Sequence, residues 1–390
     1  MSFQPSGRAS FKRAWTAAVC GQPGRDIIIR PLPALDSPVA MGRLHHILAL
    51  ATAAAVKRDC VCDPPYSHSK TIPVPSNLTA PLPKQLVLIK VPETGSSTTA
   101  QLLADLAARR RIPCWVPGAW KDNTPLSFED AVEKTGKHVE KWALAHRGAG
   151  DWVSENFNQA FVIGTTRRPE ARLTSWAAKH PKRPCQQGAS IGLKFYGIAG
   201  SSKTNASEAL AQIRQRFSSW FVLERYNESL VAFALRHRLP LGEVLPLLAK
   251  YHGGSTASAS TCDAPGVRQL LDTEAAVHEH ASQQLDETLA AFRHVLDVDA
   301  LLKAFENALD GMMARGRWRN NSETGRGAGT TLLIGDCARE CAAQALDAQV
   351  RLRFDTADVK EEGGETPAGW NFLKQYFPGD EAGAPKGRHW

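Results

Sequence analysis

The chain has 390 residues, 43% hydrophobic and 22% charged, the balance of a globular protein able to bury a sizeable core. Its formal charge of +8 favours anionic partners in general, while the lack of a long Lys/Arg block or zinc-finger spacing sets nucleic acid aside. No segment reaches the roughly 18 apolar residues of a membrane-spanning helix, and one large α/β domain with appendages fits the length as well as two domains do.

Residues 1–80 are rich in Pro, Ser, Ala and Arg and read as a targeting and linker region. Within them "MGRLHHILALATAAAVKRDC", from Met41, carries an apolar run at 47–56 with Arg43 before it and small residues near its end. With translation starting at Met41 this is a signal sequence or short anchor; with Met1 as the start it is a minor core helix. The secretory reading fits eight cysteines, an even number too scattered for a Cys-x-x-Cys zinc site. Disulfides are then expected, with a pairing that spacing does not reveal. Asn77, Asn205, Asn227 and Asn320 stand in glycosylation sequons. "CDPPYSHSKTIPVPSNLTAPLPK" reads as extended linker.

A folded domain is expected over 81–312. It opens on "QLVLIKV", an apolar run suited to a buried parallel strand. "STTAQLLADLAARRR" follows with helical spacing and basic residues at its C-terminal end. "SFEDAVEKTGKHVEKWALAHR" reads as a helix opened by Ser127. "AFVIGTT" is a second strand, and "PEARLTSWAAKH" is a helix with Pro169 at its first position. "SSWFVLERY" holds a third strand, and "NESLVAFALRHR" a helix capped by Asn227. Residues 265–315 look helical throughout. Residues 313–390 read as a C-terminal extension with one strand–helix piece, "TTLLIGDCARECAAQAL". The alternation predicts an α/β fold, a central parallel sheet flanked by helices on both faces.

Two stretches carry chemistry. In "PETGSSTT", Gly95 lets backbone approach a ligand, and the amides of Ser96, Ser97 and Thr98 would open a helix whose dipole and unpaired N–H groups favour an anion. An ATP or GTP loop would read G-x-x-x-x-G-K-[ST], and its second Gly and Lys are missing. In "TTRRPEARLTSW", Arg167 follows a strand end, at the edge where open α/β sheets bind ligands, and Ser175 lies on the second turn of the next helix. A guanidinium and a hydroxyl so placed suit a terminal phosphate. Read singly, the first stretch also fits an N-capping turn, and the second a surface arginine pair.

In this order the two stretches resemble the paired sites of sulfotransferases that use 3′-phosphoadenosine 5′-phosphosulfate (PAPS). "VLERYNESLVAF" and "QLDETLAAF" are similar to segments of the galactose-3-O-sulfotransferases and galactosylceramide sulfotransferase. The resemblance covers roughly residues 85–300. It implies a P-loop-like three-layer fold and a PAPS donor held by the loop from Glu93 and Thr94 through Gly95, Ser96 and Ser97 to Thr98. Arg167 and Ser175 would take the 3′-phosphate, within a motif completed by Pro169 and Arg172. It further implies a galactose-containing glycan or glycolipid acceptor, no catalytic metal, and a Golgi location with membrane association through the N-terminal segment. His146 is the expected general base, since an imidazole pKa of about 6.5 suits proton abstraction at neutral pH; His138 is the reserve.

Glu93 departs from the resemblance, standing where the family loop carries a lysine. A carboxylate there would repel the donor, and losing such a charge partner commonly costs about 3 kcal/mol of transition-state stabilisation. Lys90, or Arg168, is the expected substitute cation. The alternative expectation is a catalytically impaired relative that binds nucleotide or glycan. Tyr226, Glu228 and Ser229 are expected to order the third strand–helix turn. Trp115, Trp120, Trp142, Trp152 and Trp176 are candidates to pack on sugar, although core burial suits most of them better.

Overall fold

Leu86, Val87, Leu88 and Ile89 expose no surface at all, and the same holds for Ala143, Leu144 and Ala145. Strands buried on both faces must lie inside a sheet covered on each side, which is the arrangement parallel sheets require. The computed structural model of the protein describes residues 62, 70–110, 112, 114–115, 141–145, 148–157, 159–198, 205–246, 248–251, 264–315, 317–320, 330–333 and 336–354.

The first strand, β1 (Lys70–Val74), lies outside the main sheet. That sheet is built from β2 (Gln85–Ile89), β3 (Cys114–Trp115), β4 (Lys141–Ala145), β5 (Phe161–Thr166) and β6 (Ser219–Val222). It is parallel throughout, in the order β3-β4-β2-β5-β6. Helix α1 (Ser96–Arg109) follows β2, and α2 (Asp151–Asn156) joins β4 to β5. Three helices, α3 (Pro169–Lys179), α4 (Cys185–Phe195) and α5 (Ala206–Arg216), lie between β5 and β6. The chain leaves β2 towards β3 but leaves β4 in the other direction, across β2 to β5. Right-handed crossovers in opposite directions place their helices on opposite faces, which accounts for the burial of the strands on both sides.

After β6 come α6 (Tyr226–Arg236) and β7 (Leu248–Tyr251), then α7 (Pro265–Arg293) and α8 (Val298–Ala314). The long α7 buries Val277, Ala281, Leu285 and Leu289, one residue per turn, and packs on β5, β6 and α3 to α6. An antiparallel sheet, β7-β9-β8, is made with β8 (Arg317–Asn320) and β9 (Thr330–Leu333). Helix α9 (Asp336–Gln349) packs on α8, and β10 (Val350–Phe354) pairs in parallel with β1.

Three local expectations are corrected. "KWALA", read as the end of a helix, is the central strand β4, in register with β2 from Gln85↔Lys141 to Ile89↔Ala145. A short apolar run has no period of its own, and pairing between distant strands overrides the helical spacing before it. Asn227 does not cap α6: the N-cap is Arg225, and Asn227 lies inside the helix. Asn205 does cap a helix, since its side chain accepts from Glu208 N at 2.8 Å at the start of α5. Part of the linker, "KTIPV", is the strand β1.

Candidate functional site

Consecutive connections diverge between β2 and β5. These neighbours send their chains to opposite sides, and the carboxyl edge at such a switch point, called the crevice below, is where open α/β sheets take ligands. The loop after β2 and the residues after β5 are the two stretches singled out above.

The loop is held by its own hydroxyls. Thr94 Oγ1 and Ser96 Oγ each donate to the Val91 carbonyl at 2.8 Å, and Thr94 Oγ1 also lies 2.6 Å from Thr165 Oγ1 on β5. Both residues are buried, so their side chains shape the loop and leave ligand binding to the backbone. Gly95, at φ 74°, is the left-handed N-cap of α1, and the Thr98 and Thr99 amides donate to its carbonyl. The Ser96 and Ser97 amides at the helix start have no backbone partner among the described residues, as expected at a helix N-terminus. The half-buried Ser97 and Thr98 hydroxyls have no hydrogen-bond partner among the described residues.

Glu93 is also left-handed, at φ 65°. Its carboxylate accepts from Ser175 Oγ at 2.8 Å and from Lys179 Nζ at 2.8 and 2.6 Å. Arg167, at the end of β5, extends Nη1 to within 3.5 Å of the Glu93 carbonyl. The structure thus brings Glu93, Thr94, Gly95, Ser96, Arg167 and Ser175 to one edge. Lys90 sits at the end of β2, its amide donating to Ala145 O at 2.9 Å. Exposed Arg168 donates its amide to Glu224 Oε1 at 2.9 Å. His146 and His138 lie outside the described residues, as do Trp120 and the side chain of Trp115; β4 ends one residue before His146.

Arg172, at the centre of the arginine motif, works inward. It is fully buried and forks onto Glu274 of α7, with Nη2 to Oε2 at 2.6 Å and a partner bond from Nε to Oε1, and Nη2 also reaches Gly188 O. It ties α3 to α4 and α7 beneath the crevice. Ser229 pins the turn after β6, accepting from Val222 N at 3.1 Å and donating to Arg225 O at 3.0 Å. The Tyr226 hydroxyl lies 3.2 Å from Thr99 Oγ1, and burial raises its pKa. Trp142, Trp152 and Trp176 are core side chains.

Two residues at the edge went unnoticed in the sequence. Lys179 lies four positions after Ser175, on the same face of α3, and that spacing was the available signal. His278 of α7 places Nδ1 3.4 Å from Thr166 Oγ1; burial lowers its pKa, with Glu224 and Glu170 opposing and Arg168 reinforcing the shift. Nothing local marks His278, because only the docking of α7 brings it there. A cavity of about 340 Å³ lies at the far end of α1, lined by Arg109, Glu243, Arg339 and Asp347 among others. Its arginines are paired within the protein, Arg109 and Arg339 with Asp105 at 3.0 and 2.5 Å, so it offers a ligand little unspent charge. No family model matches the chain, and no curated protein matches it.

Proposed function

We propose that the protein is a sulfotransferase that moves the sulfuryl group of PAPS to a hydroxyl of a galactose-containing glycan or glycolipid. One observation carries the reading: the Gly95-capped start of α1 and the Arg167 guanidinium stand together at the crevice between β2 and β5. An amide cradle at one end and a guanidinium with a hydroxyl at the other suit a nucleotide bearing two separate phosphate groups. A P-loop-like variant of the three-layer α/β fold is part of the same reading.

In the transfer, the acceptor oxygen forms a bond to sulfur as the bond from sulfur to the 5′-phosphate oxygen breaks. The acceptor's proton passes to His146, and adenosine 3′,5′-bisphosphate leaves. Such a reaction depends on in-line positioning and on charge opposite the leaving phosphate. The α1 amides and Lys90 are assigned to that phosphate, Arg167 and Ser175 to the 3′-phosphate. A Golgi setting is supported by the Cys62–Cys341 disulfide, which suits an oxidising compartment; the segment from Met41 is the proposed membrane contact.

A second reading rests on Glu93. With a carboxylate inside the anion crevice, the protein would be an impaired relative that recognises nucleotide or glycan without turnover. Labelled PAPS and a panel of galactosides, given to the unmodified chain and to Glu93→Lys and Arg167→Ala, separate the two. Turnover by the unmodified chain that falls at least about a hundredfold in Arg167→Ala, the loss typical of a preorganised charge partner, is expected. Turnover in Glu93→Lys alone, or bisphosphate binding without turnover, favours the second reading.

A further inference from the structure

The Glu93 carboxylate has the surroundings of a bound anion. Lys179 Nζ holds both its oxygens at 2.8 and 2.6 Å, and Ser175 Oγ donates to one of them at 2.8 Å. Behind them Arg172 interacts electrostatically with the same carboxylate, and its buried Nη1 has no hydrogen-bond partner. Arg167 touches the Glu93 carbonyl and has no carboxylate partner among the described residues. Glu93 adopts this position in a left-handed backbone, at φ 65°, that residues with side chains avoid. Strain of this kind gathers at ligand clamps and switch points.

We propose that Glu93 is an exchangeable internal counter-anion and that Lys179 is a phosphate ligand. A phosphate group of the incoming donor displaces the carboxylate and takes over Ser175 Oγ and Lys179 Nζ. The idea rests on the donor assignment above and adds to it a residue outside the arginine motif. The charges support an exchange. Glu274 pairs with Arg172 and Glu93 with Lys179, so withdrawing Glu93 takes a negative charge from beside Lys179 and Arg167, which an incoming dianionic phosphate restores. Ser175 and Lys179, one turn apart on α3, present a hydroxyl and an ammonium on one face. A further cation for the Ser175 phosphate is thereby supplied from α3.

The test is calorimetric titration of adenosine 3′,5′-bisphosphate into the full chain and into Glu93→Gln, Lys179→Met and the double variant. Charge-assisted contacts of this kind correspond to about tenfold or more in affinity. Glu93→Gln is expected to tighten binding by about that factor and Lys179→Met to loosen it similarly. The deciding comparison is Lys179→Met within the Glu93→Gln background. A continued loss there supports direct phosphate contact; no loss overturns the proposal, because Lys179 then only neutralises the carboxylate. Lys179→Arg keeps the charge and should retain most of the affinity, which preserves the test if the methionine variant misfolds. If the bisphosphate binds none of these proteins, the donor reading fails, and inorganic pyrophosphate decides the exchange separately. The same order of affinities for pyrophosphate supports the exchange, and equal affinities or none overturn it.

Discussion

His237 is 3% exposed, packed between Phe161 and Phe233 with ring centroids 4.9 and 4.7 Å away. Its Nδ1 donates to the Pro81 carbonyl at 3.4 Å, which assigns the proton to Nδ1 because a carbonyl only accepts, and its buried Nε2 has no partner. Burial, aided by Arg236 alongside, lowers its pKa to about 4. An unfolded histidine titrates near about 6.5, so the folded state disfavours the charged ring. The stability this contributes is complete above about pH 6.5 and is lost as the pH falls towards 4. Between pH 7 and pH 5 the loss should be about 2 kcal/mol. His237→Asn keeps a donor for Pro81 but removes the titration, so urea unfolding at the two pH values should show a flatter acid limb. An equal acid loss in the variant would assign the effect to other groups. The same desolvation acts on Arg172, but there the Glu274 fork offsets it and the guanidinium stays charged.

At the next scale, the turn between β2 and α1 depends on one backbone conformation. Gly95 sits at φ 74°, and a Cβ there would meet Leu223 Cδ1 at 2.6 Å. The methyl groups of Leu223 can shift, so the left-handed backbone dominates, at about 1–2 kcal/mol for a residue with a side chain. Gly95→Ala should therefore lower the unfolding free energy by about that amount in a denaturant titration, and a neutral result would show that the loop relaxes without strain. This turn was legible in the sequence because an apolar run, a Gly and a hydroxyl-rich helix start follow one another with no long-range help. The strands β2 and β5 and the helices α1 and α3 were legible for the same reason. "KWALA" was not, since its state is decided by β2 on one side and β3 on the other. The crevice was half legible. Arg167 and Ser175 are marked by their place after a strand, whereas the inward role of Arg172 depends on Glu274 more than a hundred residues away. Glu93 was visible as an anomaly, but its partner Lys179 is identified only when the loop and α3 lie side by side.

Within the unit from Cys60 onwards, the first and last described segments are joined to each other. Cys62 bonds to Cys341 across a sequence separation of 279, β1 pairs with β10, and α9 packs on α8. Arg339 of α9 also reaches Asp105 of α1 at 2.5 Å, which attaches α9 to the helix that opens the crevice. Cys337 and Cys185 are disulfide-bonded too. A cross-link between positions so far apart removes much freedom from the unfolded chain, and losing one typically costs about 2–5 kcal/mol. Because Cys337 tethers the same helix one turn away, Cys341→Ser should cost less than full reduction, near the lower end of about 2–5 kcal/mol. The two losses should also differ in place. Strand β10 alternates exposed and half-buried residues and, among the described residues, pairs only with β1, whereas β2 and β5 are inner strands of the main sheet. Hydrogen exchange in Cys341→Ser should therefore quicken first at β1 and β10 and leave β2 and β5 protected. Uniform loss of protection would mean that the end-to-end closure and the crevice unfold as one unit, and that the cross-link guards the candidate site directly.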